Sequence, residues 1–227
     1  MPASIIRNIV AVMFMSIFLT GNSAGQQLKL GLFFDPLLGW YSSGSEEVSG
    51  AGVRAGYAGG LAANYYFSRN YSFSTGITFL HTGGVQTTSE PVTFLFNNFT
   101  TDLQAGQKAV YSTSYINIPL GIRMRTRQIG YISIFSDAGF DPGFLARGTV
   151  SIPSENIEKE LGSKEIRKFN LGAHLQVGAE YSLGGSTFMI FGLAYEHGLS
   201  DVTIDNEGQP DDKSGNRIIR FRLGLFF

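Results

Sequence analysis

A histidine and a serine lie close together in Glu196-His-Gly-Leu-Ser200, and that pairing is the sharpest hint of catalysis in the chain. A histidine beside a hydroxyl can activate it as a nucleophile for ester or amide hydrolysis. Ser200 lies three positions after His197, so in an extended strand they point to opposite faces. Glu196, as the adjacent residue, also opposes His197. The other histidines, His81 and His174, fall in no metal-ligand spacing. The chain holds no H-E-x-x-H, Walker or dinucleotide glycine motif, and the stretches GYAGG and GTVSI are better read as small interior or loop residues. Closely spaced Asp and Glu in 205–215 have the oxygen chemistry for weak calcium binding, but their spacing is not that of an EF-hand. No metal site or cofactor is predicted. More informative are charges threaded singly through apolar stretches, as in Arg217-Ile-Ile-Arg-Phe-Arg-Leu-Gly-Leu-Phe-Phe227.

Composition constrains what could hold such charges. Charged residues make up 15% of the 227 residues, against about 25% in ordinary soluble domains. There are 29 glycines, 13% aromatics, no cysteine and a net charge of -1. Stability must come without disulfides, and nothing suggests nucleic acid as a partner. The N-terminus carries Arg7, an apolar run from Ile9 to Leu19, and small residues through Ala24 and Gly25. That layout is a secretory signal peptide, assigned to 1–25 with the mature domain at 26–227. The run is too short to cross a bilayer as a helix, which takes about 20 residues.

Period-two alternation dominates the rest. In 115–125, Ile116, Ile118, Leu120, Ile122 and Met124 share one face, while Tyr115, Asn117, Pro119, Gly121, Arg123 and Arg125 share the other. This is strand periodicity, and Pro119, which cannot donate to a ladder, must be absorbed by a bulge or local gap. The same reading places strands near 28–39, 53–67, 71–83, 111–125, 130–147, 166–182, 186–198 and 216–227. Each reaches the about 9–11 residues that a tilted membrane strand requires. Short connections at 68–70, 126–129 and 183–185 alternate with long ones at 40–52, 84–110, 148–165 and 199–215. The predicted fold is all-β: an eight-stranded antiparallel transmembrane β-barrel with short periplasmic turns and long extracellular loops.

The two faces tell lipid from lumen. A water-exposed outer face would be rich in Lys and Glu, whereas the polar face here is mostly Gly, Ser, Ala and Asn. Small residues suit the interior of a barrel this narrow, so the large apolar face is assigned to lipid. Inward charges are then Lys29, Arg54, Arg123, Arg125, Arg147, Arg220 and Arg222 against Asp35, Asp137, Asp141, Glu180 and Glu196. Unpaired charge in a dry interior is costly, so these residues are predicted to form an ionic network that plugs the lumen rather than a selectivity ring. In the longest connection, Pro91-Val-Thr-Phe-Leu-Phe-Asn-Asn-Phe99 is unusually apolar and fits either a hairpin packed over the mouth or a partner surface. The acidic stretch 155–165 reads as a solvated segment with some helical tendency.

The end of the chain, Phe-Arg-Leu-Gly-Leu-Phe-Phe227, resembles the C-terminal signal by which barrel-assembly machinery recognises outer-membrane proteins, with Phe227 as its terminal residue. The stretch YINIPLGIRMRTRQIGYISIFSDAGFDPGFLARG, 115–148, resembles the small outer-membrane barrels of Bacteroidota often grouped as PorT-like, and LGAHLQVGAEYSL and FGLAYEHGLSDV look like later strands of that family. The resemblance implies the outer membrane, contact with its lipid and little chemistry; one branch is an accessory to type IX secretion. The expectation is a non-enzymatic barrel with a structural, scaffold or loop-binding role and an unidentified extracellular or periplasmic protein partner. The alternatives are a rim-located hydrolase resembling lipid A deacylases, whose His and Ser are spaced H-x-S, and a small-solute pore.

Overall fold

The computed structural model describes residues 28–44, 48–96, 99–162, 165–204 and 214–227. The expected signal peptide, 1–25, and most of the acidic segment 205–215 lie outside these residues. The chain runs β1 (Leu28–Ser43), β2 (Val48–Gly52), β3 (Arg54–Tyr66), β4 (Tyr71–Thr88), β5 (Val92–Leu95), β6 (Thr100–Leu103) and β7 (Lys108–Asn117). It continues with β8 (Leu120–Arg125), β9 (Ile132–Ile152), β10 (Ile157–Leu161), β11 (Phe169–Gly184), β12 (Thr187–Gly198) and β13 (Ser214–Phe226).

These strands close into an antiparallel ring of eight staves, β1, β3, β4, β7 with β8, β9, β11, β12 and β13, with β13 pairing back to β1. Closure runs to the last residue: Phe227 N–H donates to the Leu30 carbonyl at 2.9 Å, and Leu30 N–H returns the bond at 3.2 Å. Two staves are composite. β2 prolongs β3 along β4 after a register shift. β7 and β8 are one stave interrupted at Ile118–Pro119. The ladder resumes in unchanged register, Asn117 opposite Gly143 and Leu120 opposite Phe140, so a local gap and no bulge absorbs Pro119. Ile118 N–H still reaches the Pro142 carbonyl at 2.9 Å.

Alternation separates the faces as the residue types require. On β1, Leu28, Leu30, Leu32, Phe34 and Leu38 are exposed, while Phe33, Asp35, Leu37 and Tyr41 are buried. The same outward apolar set recurs on every stave, for example Ile116, Leu120, Ile122 and Met124, or Phe221, Leu223, Leu225 and Phe227. So continuous an apolar belt is unsuited to water and suited to lipid. No helix among the described residues is long and apolar enough to cross a membrane; the strands make the crossing.

The interior corrects one expectation. It is not filled by small and ionic groups alone, because large apolar side chains occupy both ends. Toward the short turns, Phe135, Phe188, Ile190 and Phe226 form a buried cluster, with Phe188 and Phe226 stacked at 5.3 Å. Toward the long connections, Leu37, Ala58, Leu80, Tyr115 and Ile218 form a second. A third cluster joins Tyr41 of β1 to Val150 and Ile152 of β9 through Phe94, Phe96 and Leu103 of the β5–β6 hairpin. β1 and β9 are four staves apart in a ring of eight, so this cluster bridges the mouth. Val92, Phe94 and Phe96 of the apolar stretch are therefore packed over the barrel opening. Strands also run further than the periodicity indicates, to Thr88 on β4 and Ile152 on β9.

Candidate functional site

Between the apolar ends lies a layer of charge. Arg123 Nε donates to Asp137 Oδ2 at 3.0 Å, and Asp137 Oδ1 lies 3.2 Å from His174 Nε2. The other ring nitrogen of His174 is 2.9 Å from Asp141 Oδ2, which also faces Arg220 Nη2 at 3.3 Å. Arg220 continues to Glu196 at 3.2 Å. Glu180 stands between Arg123, at 3.7 Å, and Arg125, at 3.4 Å. Arg222 grips Asp35 with Nη2 at 2.7 Å and Nε at 3.1 Å, and its Nη1 donates to Gln176 Oε1 at 3.4 Å.

The strand period explains why these residues meet. Asp35, Asp137, Asp141, Glu180, Glu196, Arg220 and Arg222 all occupy inward positions of their staves, and Arg123 lies directly opposite Asp137 in the β8–β9 ladder. Glycines on neighbouring staves make the room. A methyl on Gly121 would sit 2.7 Å from Asp137 Oδ1, and one on Gly172 would sit 2.8 Å from Glu196 Oε1.

The layer contains one small device twice. Phe33 and Asp35 share the inward face of β1, and Arg222 of the adjacent stave both pairs with Asp35 and lies over the Phe33 ring at 4.0 Å. Across the barrel, Phe135 and Asp137 share the inward face of β9, and Arg123 of the adjacent stave pairs with Asp137 and lies over Phe135 at 4.3 Å. An arginine held between a carboxylate and an aromatic face keeps its charge compensated after leaving water. Arg125 rests likewise on Tyr66 at 4.1 Å.

The expected network is thus largely assembled. Lys29 lies at the periplasmic end, where Nζ donates to the Ser186 carbonyl at 3.3 Å. Arg54 stands above it, donating to the Tyr111 carbonyl at 3.1 Å. Arg147 is a correction. A bulge on β9 at Ala146, opposite Ser114 and Tyr115 of β7, pairs Ser114 with Arg147 but Tyr115 with Leu145. That extra residue reverses the parity of β9, so Gly148 turns inward and Arg147 is exposed. His174 is the member that charge reading omits. Its position on the same face as Gln176 and Glu180 is the signal that finds it. Five carboxyl groups face four guanidinium groups here, and His174 brings one ring nitrogen to each of Asp137 and Asp141.

Among these groups lies a cavity of about 30 Å³, beside Asn64, Ser74 and Thr78. That is room for a water or two. Among the described residues no cluster of His, Asp and Glu is arranged to hold a metal ion.

At the rim, His197 and Ser200 are not brought together. Arg217 Nη1 donates to His197 Nε2 at 2.9 Å. Ser200 Oγ donates to Asn170 Oδ1 at 2.7 Å and accepts the Leu171 N–H at 2.8 Å. Glu196 points inward to Arg220.

A closed ring of eight staves, a lipid-facing belt and a charged, filled centre define a β-barrel protein of the bacterial outer membrane. Residues 20–203 match the family described as Outer membrane protein beta-barrel domain, and the chain belongs to it. Among solved structures it is similar to Neisserial surface protein A (NspA), at 11% identity and a TM-score of 0.51, covering 90% of this chain and 98% of that one. It is also similar to the outer membrane protein OprG from Pseudomonas aeruginosa, at 11% identity and a TM-score of 0.46, covering 89% of this chain and 98% of that one. At such identities the likeness to NspA speaks to fold alone. No curated protein sequence matches the chain.

Proposed function

We propose that this protein is a non-catalytic outer-membrane barrel, closed to solutes, whose folded extracellular end serves as a binding surface. The observation that carries the reading is the filled lumen: an aromatic cluster below, an ionic layer in the middle and the β5–β6 hairpin packed across the mouth. A protein that passes solutes needs a continuous wet path, and the cavity beside the ionic layer, about 30 Å³, has room for only a water or two. The separate engagements of His197 with Arg217 and of Ser200 with Asn170 favour a binding role over a hydrolytic one. The Tyr115–Leu120 stretch supports placing the chain among the PorT-like barrels of Bacteroidota.

The test has two arms. Planar-bilayer recordings of the refolded protein should show no discrete conductance steps, and lipid A mass spectra should be the same with and without the protein. Regular unitary steps would replace this reading with a pore, and a shortened acyl pattern lost in His197→Ala would replace it with a hydrolase. Affinity capture with intact protein, compared with protein whose 90–105 segment is replaced by a short Gly-Ser turn, then asks whether the extracellular end recruits a protein.

A further inference from the structure

We propose that the extracellular rim over β11, β12 and β13 carries a binding groove for the phosphorylated headgroup of an outer-leaflet glycolipid of the lipid A type. The groove has a volume of about 960 Å³ and is lined by Arg167, Lys168, Phe169, Leu199, Asp201 and Arg217, among others.

Its electrostatics favour an anion. The one carboxylate in that set is already committed. Asp201 Oδ1 accepts the N–H of Thr203 at 3.1 Å, the Thr203 hydroxyl at 2.9 Å and the N–H of Ser214 at 3.0 Å. Its Oδ2 faces Arg167 at 3.4 Å. Two further cations, Lys168 and Arg217, remain, and Lys168 makes no ion pair among the described residues. The Arg217–His197 contact does not neutralise the guanidinium, because an imidazole that accepts from arginine at Nε2 is uncharged when its other nitrogen carries the single proton.

Its height favours a membrane lipid over a soluble anion. Arg217 is on the lipid-facing side of β13, in line with the exposed Phe221, Leu223 and Leu225. It pairs across the ladders with Trp40 on one side and His197 on the other, and its Nη1 lies 3.4 Å from the Tyr195 hydroxyl. Lys168 directly precedes Phe169, which meets Phe144 edge-on at 5.5 Å on the outer surface. Aromatic rings of this kind sit at the boundary between hydrocarbon and headgroups. The cations are therefore placed where lipid phosphates lie, and exposed Phe169 and Leu199 give the groove an apolar flank for the first acyl carbons.

The experiment uses the full mature chain, reconstituted into phosphatidylcholine vesicles containing either bisphosphorylated lipid A or its dephosphorylated form. The protein is then re-extracted in mild detergent, and bound lipid is counted by native mass spectrometry across a lipid titration. Retention of the bisphosphorylated form alone is expected. Each cation lost should weaken retention about fivefold, so that Lys168→Gln/Arg217→Gln loses about 25-fold. Arg127→Gln, in a turn at the opposite margin, should match the parent. Heat-modified gel mobility confirms that each variant is folded, and Arg217→Lys, which keeps the charge, should retain most binding. Equal retention of the dephosphorylated lipid would overturn the proposal. So would full competition by a soluble glucosamine phosphate, which would make the ligand a free anion. Undiminished binding by the folded double variant would assign the groove to another occupant, such as the acidic segment 205–213, and would overturn it as well.

Discussion

Arg222 of the last stave grips Asp35 of the first, at the point where the backbone seam between them is interrupted. The β1–β13 ladder pairs Phe34 with Leu223 and Leu37 with Arg220, and skips the positions between, where Pro36 has no N–H to donate. Across that gap the Arg222–Asp35 contact, at 2.7 Å, joins residues 187 positions apart in sequence. A side-chain pair thus fastens the barrel closure where the main chain cannot.

From this arrangement, Asp35→Asn and Arg222→Gln should each destabilise the barrel by about 3–5 kcal/mol, because each strands a buried charge. The double variant should recover part of that loss, since neither charge is then left alone. Urea unfolding in lipid vesicles, followed by tryptophan fluorescence, gives the three values. Single variants that unfold at the parent urea concentration would show that the seam does not depend on the pair.

His174 joins two halves of the ionic layer through Asp137 and Asp141. Its replacement by Leu removes the donor to both and leaves carboxylates in excess of cations. A loss of about 3–5 kcal/mol is expected, against a smaller loss for His174→Gln, which keeps an N–H for one partner. His81→Leu, whose ring nitrogens face the hydroxyls of Ser114 at 2.9 Å and Ser112 at 3.5 Å, should cost about 1 kcal/mol. Unfolding midpoints of the three variants in the same lipid should fall in that order; His174→Leu as stable as the parent would mean that the layer tolerates the missing bridge.

Alternation made the barrel legible. Ile116, Ile118, Leu120, Ile122 and Met124 face lipid as their spacing requires, and the short turns at 68–70, 126–129 and 183–185 fix the order of staves. Inward parity likewise exposed Asp35, Asp137, Glu180 and Arg222. Three things were hidden for definite reasons. One inserted residue on β9 reverses every later position, and nothing in Leu145-Ala-Arg147 marks it, so Arg147 reads as inward. Phe33 follows Leu32 and precedes Phe34, so a stave apolar on both faces conceals which ring turns in. Pairing partners such as Arg222 and Asp35 are set by closure of the whole ring, which local spacing does not encode.

Gly31 and Phe226 are register partners at the same seam, and the ring of Phe226 fills the space a side chain on Gly31 would take. A methyl there would lie 2.5 Å from the ring carbon Cγ. Gly31→Ala should therefore cost about 1–3 kcal/mol through overpacking. Combining it with Phe226→Leu should cost less than the sum of the two single changes, because the smaller side chain vacates part of the clash. A double-mutant cycle on unfolding free energies measures the coupling; strict additivity would mean that the two positions do not compete for space.

The hairpin over the mouth should separate from the barrel energetically. β5 and β6 pair with each other as an independent two-stranded sheet, so they are tied to the ring by packing of Phe94, Phe96 and Leu103 against Tyr111, Val150 and Ile152 rather than by ladder bonds. Phe94 and Tyr111 rings lie 6.4 Å apart. Replacing Phe94 and Leu103 with Ser removes two buried side chains, a loss of about 2–5 kcal/mol each, which exceeds what an isolated hairpin can sustain. Limited proteolysis from the outside should then cut within 90–105 in the variant and leave the parent intact. The heat-modified gel shift should persist in both, because the eight-stave ladder does not include the hairpin. Loss of that shift in the variant would instead make the mouth cluster part of the cooperative barrel core.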